Sequence, residues 1–369
     1  MKKNKQFDTN DKEINKKFMT SKSFRKYFSI KFLKQAKENF ELAKEYHLKA
    51  IEAEKKVESN ISENVAISIQ HVTKIFKNIT GTPNRVLDDI SFEVKKGEFH
   101  GFIGNNGTGK TTTIRLILNY YEDGYGKIFI NGINSKDPKA KEKLGYIPEI
   151  SVFPKNLTIY EYLYYFAKLS KLSTQEAKDR VSYLMKKYGF SDEQFKKSAE
   201  KLSSGQKKKV LLMQALLNDP DILIMDEPAA NLDPSARIEF YEAVSELHKQ
   251  GKTILMSSHI LSELEKYIDS VTVFEGGHVK DTGKVKDKLK NKFYDYKIVS
   301  SDNEKLEELC KNFQFKTKLL QDSLLVKINT IEEKTKIFNA ALKNNINIFS
   351  LKENNLSLNQ IYFSTSESE

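Results

Sequence analysis

"GNNGTGKTT", residues 104–112, is the stretch on which the fold turns. Gly104, Gly109, Lys110 and Thr111 satisfy the spacing G-x-x-x-x-G-K-[ST], and Gly107 adds a third glycine inside it. A chance match in a chain of this length is roughly one in a hundred. Upstream, residues 99–103 read as a buried strand; downstream, "KTTTIRLILNYY" reads as a helix. Strand, glycine turn and helix together aim successive backbone N–H groups, and the positive end of the helix, at one phosphate. Lys110 then supplies a mobile cation for the β- and γ-phosphates and the Thr111 hydroxyl a ligand for Mg²⁺. Asn105, Asn106, Thr108 and Thr112 complete the expected lining.

Such a loop needs acidic company, and "DILIMDEP" provides it. Residues 222–225 are continuously apolar, as in a strand covered on both faces, and end in Asp226 and Glu227. Open α/β sheets bind ligands at that carboxyl edge. Asp226 is expected to hold Mg²⁺ through water, and Glu227 to polarise an attacking water. His259 closes the next strand, "KTILMSSH". A lone histidine at a strand end is more often structural than catalytic. This one falls on the same sheet edge as the acids, within expected reach of a γ-phosphate, and is taken as catalytic.

The rest of the chain bounds the reading. A length of 369 residues accommodates two or three domains, and 39% hydrophobic with 30% charged residues suits an ordered protein. No apolar run approaches the length of a bilayer span. Cys310 is the only cysteine, which excludes an internal disulfide and fits a core role in a reducing compartment. A net charge of +11 makes nucleic acid, anionic lipid or nucleotide plausible partners without choosing among them.

Strands alternating with helices from residue 67 onward predict an α/β sheet covered on both faces. Residues 1–64 form a different segment, basic and without Gly or Pro, with a polar helix expected over 32–57. A solvated helical arm is the leading expectation there. The interleaved aromatics and cations of "SKSFRKYFSIKFLK" keep an anionic membrane surface as the alternative. The tyrosine-rich region 158–188 reads as helices of an inserted lobe, about 151–200. Past Gly283, "KVKDKLKNK" looks like a charged linker, and 284–369 alternate strand and helix as a small ferredoxin-like α/β appendage.

"LSSGQ", Leu202, Ser203, Ser204, Gly205 and Gln206, taken with the loops above, resembles the signature motif of ATP-binding cassette ATPases. The resemblance spans about 67–283. It implies a P-loop NTPase cassette with a mostly parallel sheet core, an antiparallel β subdomain and the inserted helical lobe, so that 65–283 is the ATPase domain. It further implies that two cassettes pack head to tail, one chain's signature helix completing the ATP site of the other, as a homodimer or with a paralogue. Phe76 matches the aromatic that stacks on adenine, Asp233 the acidic loop at the dimer interface, and Glu149 a loop position where the family usually has Gln and where a carboxylate can also ligate Mg²⁺. Ser204 replaces the usual first glycine of the signature pair, which is expected to tune affinity. By this resemblance the chain is the ATP-hydrolysing subunit of a transporter, an exporter in view of Glu149 and the tail. It would dock on a separate membrane permease at the cytoplasmic face. The alternative is a cassette ATPase acting on ribosomes or nucleic acid, but there is one motif set and only a short helical insertion. The run Lys207–Lys209, expected to be a solvated face, has no interleaved aromatics and sits in no base-reading module.

Overall fold

The computed structural model describes residues 22–77, 82–121, 124–290, 294–354 and 358–363. They form two compact units, one drawn from residues up to 93, 107–141 and 275–279, the other from 94–106, 142–274 and 280–369.

In the first unit, helix α1 (Lys22–Glu54) leads to strands β1 (Val65–Lys77) and β2 (Pro83–Lys95). The chain later returns with helix α2 (Lys110–Ile117), β4 (Tyr125–Ile130) and β5 (Ile133–Asn134), having left through β3 (Phe99–Gly104). The sheet order is β2-β1-β4-β5, with β1 and β4 antiparallel from Ile67↔Ile130 to Thr73↔Tyr125. Along β2, buried Ile90, Phe92 and Val94 alternate with exposed neighbours, as one covered face requires, whereas Val65–Ile69 of β1 are buried without a break. Helix α1 starts before the expected residue 32 and is not a solvated arm along its whole length. Ala50 and Ala53 are buried, the Arg85 guanidinium lies 4.5 Å over the Tyr46 ring, and His47 hydrogen-bonds the Tyr125 hydroxyl. Small alanines on one face let a helix of otherwise polar composition lie close against a sheet.

The second unit continues through β6 (Leu144–Ile147), helices α3 (Ile159–Leu169), α4 (Thr174–Lys187), α5 (Asp192–Phe195) and α6 (Ser204–Leu216), and β7 (Ile222–Met225). After α7 (Pro234–Lys249), β8 (Thr253–Ser258), α8 (Leu261–Leu264) and β9 (Ser270–Glu275), strand β10 (His278–Lys284) leads into α9 (Val285–Lys290). The six-stranded order is β10-β9-β3-β8-β7-β6, with β9/β3, β3/β8, β8/β7 and β7/β6 all parallel. Every residue of β3, β7 and β8 is buried, and β7 accordingly reads as an unbroken apolar run. Inside β3, His100 bonds Ser270 and Thr272 through its two ring nitrogens, and burial pulls its pKa to about 3, so it is a neutral core residue.

The tyrosine-rich helices α3 and α4 each begin with a capping box, Thr158 with Glu161 and Ser173 with Glu176. They bury Leu163, Val181 and Leu184 in the core they share with α6. The expected linker after Gly283 is instead the short helix α9, anchored by buried Val285.

Strands β11 (Tyr296–Ser300), β12 (Thr317–Leu319), β13 (Leu324–Val326) and β14 (Ile348–Glu353), with helices α10 (Asn303–Asn312) and α11 (Ile331–Lys343), follow one another as βαββαβ. The antiparallel sheet order β12-β13-β11-β14 is the ferredoxin-like arrangement. Cys310 is buried there beside Ile298 and Leu306, as expected of a core cysteine, and burial raises its pKa to about 11. A last helix, α12 (Leu358–Phe363), returns to the ATPase core. Leu358 N–H donates to Glu265, and the Tyr362 hydroxyl donates to Asp281 at 2.6 Å.

Candidate functional site

The phosphate loop joins the end of β3 at Gly104 to the start of α2 at Lys110. Gly107 and Gly109 have φ of 81° and 109°, a region side chains avoid, so both glycines are required by the backbone. Their surroundings differ. A Cβ on Gly109 would lie 2.5 Å from Leu87 Cδ2 and 3.2 Å from the Val86 carbonyl, whereas one on Gly107 would meet nothing within 4 Å. One side of the loop is therefore packed and the other open. Thr113 locks the first helical turn by donating to the Gly109 carbonyl at 3.0 Å. Asn105 and Asn106 are exposed, Thr108, Thr111 and Thr112 half-buried, and Lys110 buried. An open concave backbone at a helix N-terminus, with a lysine at the first helical position, suits a triphosphate.

Within the same unit Phe76 is half-buried and packs edge-on against Tyr121, centroids 5.4 Å apart. Lys74 Nζ stands 5.0 Å from the Phe76 ring and 5.6 Å from that of Tyr121. An adenine-stacking role for Phe76 therefore has a second aromatic beside it. Tyr121 lies 45 residues on from Phe76, outside any motif.

The second unit gathers the acids and the histidine. Parallel register sets Met225 opposite Met256, so Asp226 leaves β7 beside Ser257 of β8. Ser257 Oγ donates to Asp226 Oδ1 at 2.8 Å and accepts the Glu227 N–H at 2.8 Å. Both acids are buried, and Glu227 adopts φ 43°, a strained backbone for a non-glycine residue. Its Oε2 meets His259 Nδ1 at 2.7 Å. Strain of this kind persists only where neighbours fix it, and here Ser257 and His259 hold the residue at both ends. A cavity of about 160 Å³ adjoins the pair, lined also by Asn231, Arg237, Tyr241 and Glu263. Arg237 pairs with Glu263 and donates to the Leu232 carbonyl at 3.0 Å, which secures the loop carrying Asp233. Ser257, Arg237 and Glu263 carry no motif of their own. The one available signal for Ser257 was its place two residues before His259.

The signature residues form the start of α6. Ser203 is its N-cap: the hydroxyl accepts the Gln206 N–H, and Gln206 Oε1 accepts the Ser203 N–H. Ser203 and Ser204 are exposed, and Leu202 packs against the core. Gly205 is needed because a Cβ there would approach Ala236 Cβ of α7 to 2.9 Å. Asp233 caps α7 by accepting the Ala236 N–H at 2.9 Å, so the two helix starts meet. The lysine run is not a solvated face. Lys208 is buried, donating to the Pro148 and Glu149 carbonyls, and Lys209 pairs with Glu239 at 2.5 Å. Burial draws the Lys208 pKa down to about 8 against the opposing pull of the Glu149 and Asp226 carboxylates. The Glu149 side chain itself is exposed.

A family model described as "ABC transporter" matches residues 87–230, from β2 to beyond the acidic pair. The chain is 46% identical over 239 residues to a protein of Mycoplasma pneumoniae named "Putative ABC transporter ATP-binding protein", covering 64% of this chain and 72% of that protein. It is 33% identical over 223 residues to a Nod factor export ATP-binding protein of Neorhizobium galegae, covering 60% and 62%. The solved structure of an ATP-binding subunit of an ABC transporter superposes with a TM-score of 0.53 at 33% identity, over 60% of this chain and 91% of that one. This chain belongs to the ATP-binding subunits of ABC transporters.

Proposed function

We propose that the chain hydrolyses ATP to power export through a separate permease, with two cassettes clasping the nucleotides between them. The observation that carries the catalytic assignment is the Glu227–His259 pair at the end of a buried strand, in a chain with a complete phosphate loop. The likeness to a Nod factor export protein favours export, as do Glu149 and the C-terminal appendage.

On this reading Gly104, Asn105, Asn106, Gly107, Thr108 and Gly109 cradle the phosphates through backbone N–H groups, with Lys110 and Thr112 beside them. Phe76 stacks on the adenine. Thr111, Asp226 and Glu149 are the residues that would hold Mg²⁺, which when bound neutralises phosphate charge. Glu227 orients the attacking water and accepts its proton. His259 donates from Nδ1 to Glu227, which fixes the carboxylate. In the partner's site, Ser203 has its hydroxyl proton to offer, because its oxygen already accepts within the capping box. Leu202, Ser204, Gly205 and Gln206 shape that helix start, and Asp233 lies on the loop that crosses to the second cassette.

Among the described residues no helix is long and apolar enough to cross a membrane. We place the chain at the cytoplasmic face of the membrane, with the lobe 151–200 docking the permease and the basic segment of residues 1–64 touching anionic lipid. The test is recovery from detergent extract with mass spectrometry of the bound chains. Co-purification of a protein of about six apolar helices that stimulates ATP hydrolysis is the expected result. Recovery with ribosomes and no membrane protein would overturn the proposal.

A further inference from the structure

Lys208 sits in the second turn of α6, five residues beyond Ser203, and is 3% exposed. A lysine so buried needs hydrogen-bonded company to remain charged. It has two carbonyl partners, those of Pro148 at 3.0 Å and Glu149 at 2.5 Å. Both belong to the segment that leaves β6, the edge strand, and β6 pairs with β7, whose end carries Asp226 and Glu227. The neighbouring Lys209 makes a more exposed pair with Glu239, of the kind that contributes little. Packing alone does not ask for a cation at position 208, since an unbranched apolar side chain fills the same space. What the ammonium adds is a rigid connection between the Glu149 loop and the helix that begins with the signature serine.

We infer that Lys208 is a positioning residue that ties the Glu149 loop to the signature helix, so that displacement of that loop moves Ser203. This rests on the reading above, in which Glu149 meets the nucleotide of its own cradle and Ser203 that of the second cassette. Lys208 then sets how strongly occupancy of one nucleotide site is felt at the other. The hydrogen bonds of this link go to backbone carbonyls, while the Glu149 carboxylate adds an electrostatic pull on the same ammonium.

The experiment uses the full chain with Lys208→Met, Lys208→Arg, Ser203→Ala and the double variant Ser203→Ala/Lys208→Met. It measures kcat, KM, the Hill coefficient of hydrolysis, ATP affinity of the isolated monomer and the melting temperature. Lys208→Met is expected to lower kcat about tenfold and bring the Hill coefficient toward one, with monomer ATP affinity unchanged; Lys208→Arg, which keeps donors, recovers part of the rate. The double variant is expected to be no slower than Ser203→Ala alone, because both changes act through one element. Full kcat and cooperativity in Lys208→Met, or losses that multiply in the double variant, would overturn the inference. If Lys208→Met does not fold, Lys208→Gln replaces it in the same comparison and is judged by the same outcomes. A normal rate in Ser203→Ala removes the in-trans reading, and the inference with it. A slow Ser203→Ala beside a normal Lys208→Met removes the Lys208 tie alone.

Discussion

Ser257→Ala tests whether the acidic pair is held from β8 or merely follows β7. Ser257 is fully buried, and its hydroxyl makes two bonds of 2.8 Å, one to the Asp226 carboxylate and one from the Glu227 N–H. A bond to a charged group contributes about 1.5–3 kcal/mol and a neutral one about 0.5–1.5. Removing both, with the Glu227 N–H left in a dry site, gives an expected loss of about 2–4 kcal/mol. For 150–250 ordered residues this corresponds to roughly 4–16 °C in melting temperature. Glu227 at φ 43° stores about 1–3 kcal/mol of strain, and losing the N–H bond lets it relax away from His259. If half of that relaxation is taken up before the transition state, kcat falls roughly two- to twelvefold. Urea unfolding at matched m-values and single-turnover hydrolysis of bound ATP measure the two quantities. A stability loss under about 1 kcal/mol together with an undiminished single-turnover rate would refute the reasoning.

Four further outcomes are expected. Glu227→Gln retains ATP binding, accumulates a closed dimer on size exclusion and loses about 10²–10⁴ in turnover; unchanged turnover removes Glu227 as base. Gly109→Ala combines φ 109° with a Cβ 2.5 Å from Leu87, so nucleotide binding measured by fluorescent-ATP titration should be abolished, and wild-type affinity would contradict the packed side of the cradle. Tyr362→Phe removes the bond to Asp281 and should cost about 1 kcal/mol in urea unfolding while leaving kcat within twofold. Truncation before residue 34 should spare ATP hydrolysis and reduce flotation with vesicles of anionic lipid; unaltered flotation would end the membrane-surface assignment of the basic segment.

The contiguous parts of the site were legible in the amino-acid sequence because each is a local device. The cradle needs its glycines where φ is positive, the acids follow an apolar run, and the signature is a helix cap with its own spacing. Parallel strands betrayed themselves by being buried on both faces. What escaped are contacts between segments distant in the chain. Ser257 reaches Asp226 across a strand pair, and Lys208 reaches backbone carbonyls some sixty residues away, where no side-chain pattern can register a partner. The same cause hides the burial of Lys208, since a charged run points to solvent unless its acceptor is in view. The contact face of α1 is hidden for a related reason: alanines are too weakly apolar to mark one, yet Ala50 and Ala53 make one. The left-handed backbone of Glu227 leaves no trace in composition at all.

The closing helix of the chain turns the appendage from a pendant into a bracket. Its strands and helices are fastened to the catalytic unit at entry, through Val285, and again at exit, through Leu358 and Tyr362. Glu265, which accepts the Leu358 N–H, is separated along the chain from His259 and its contact with Glu227 only by Ile260 and the short α8, so the appendage's exit is tied within one short helix of the candidate site.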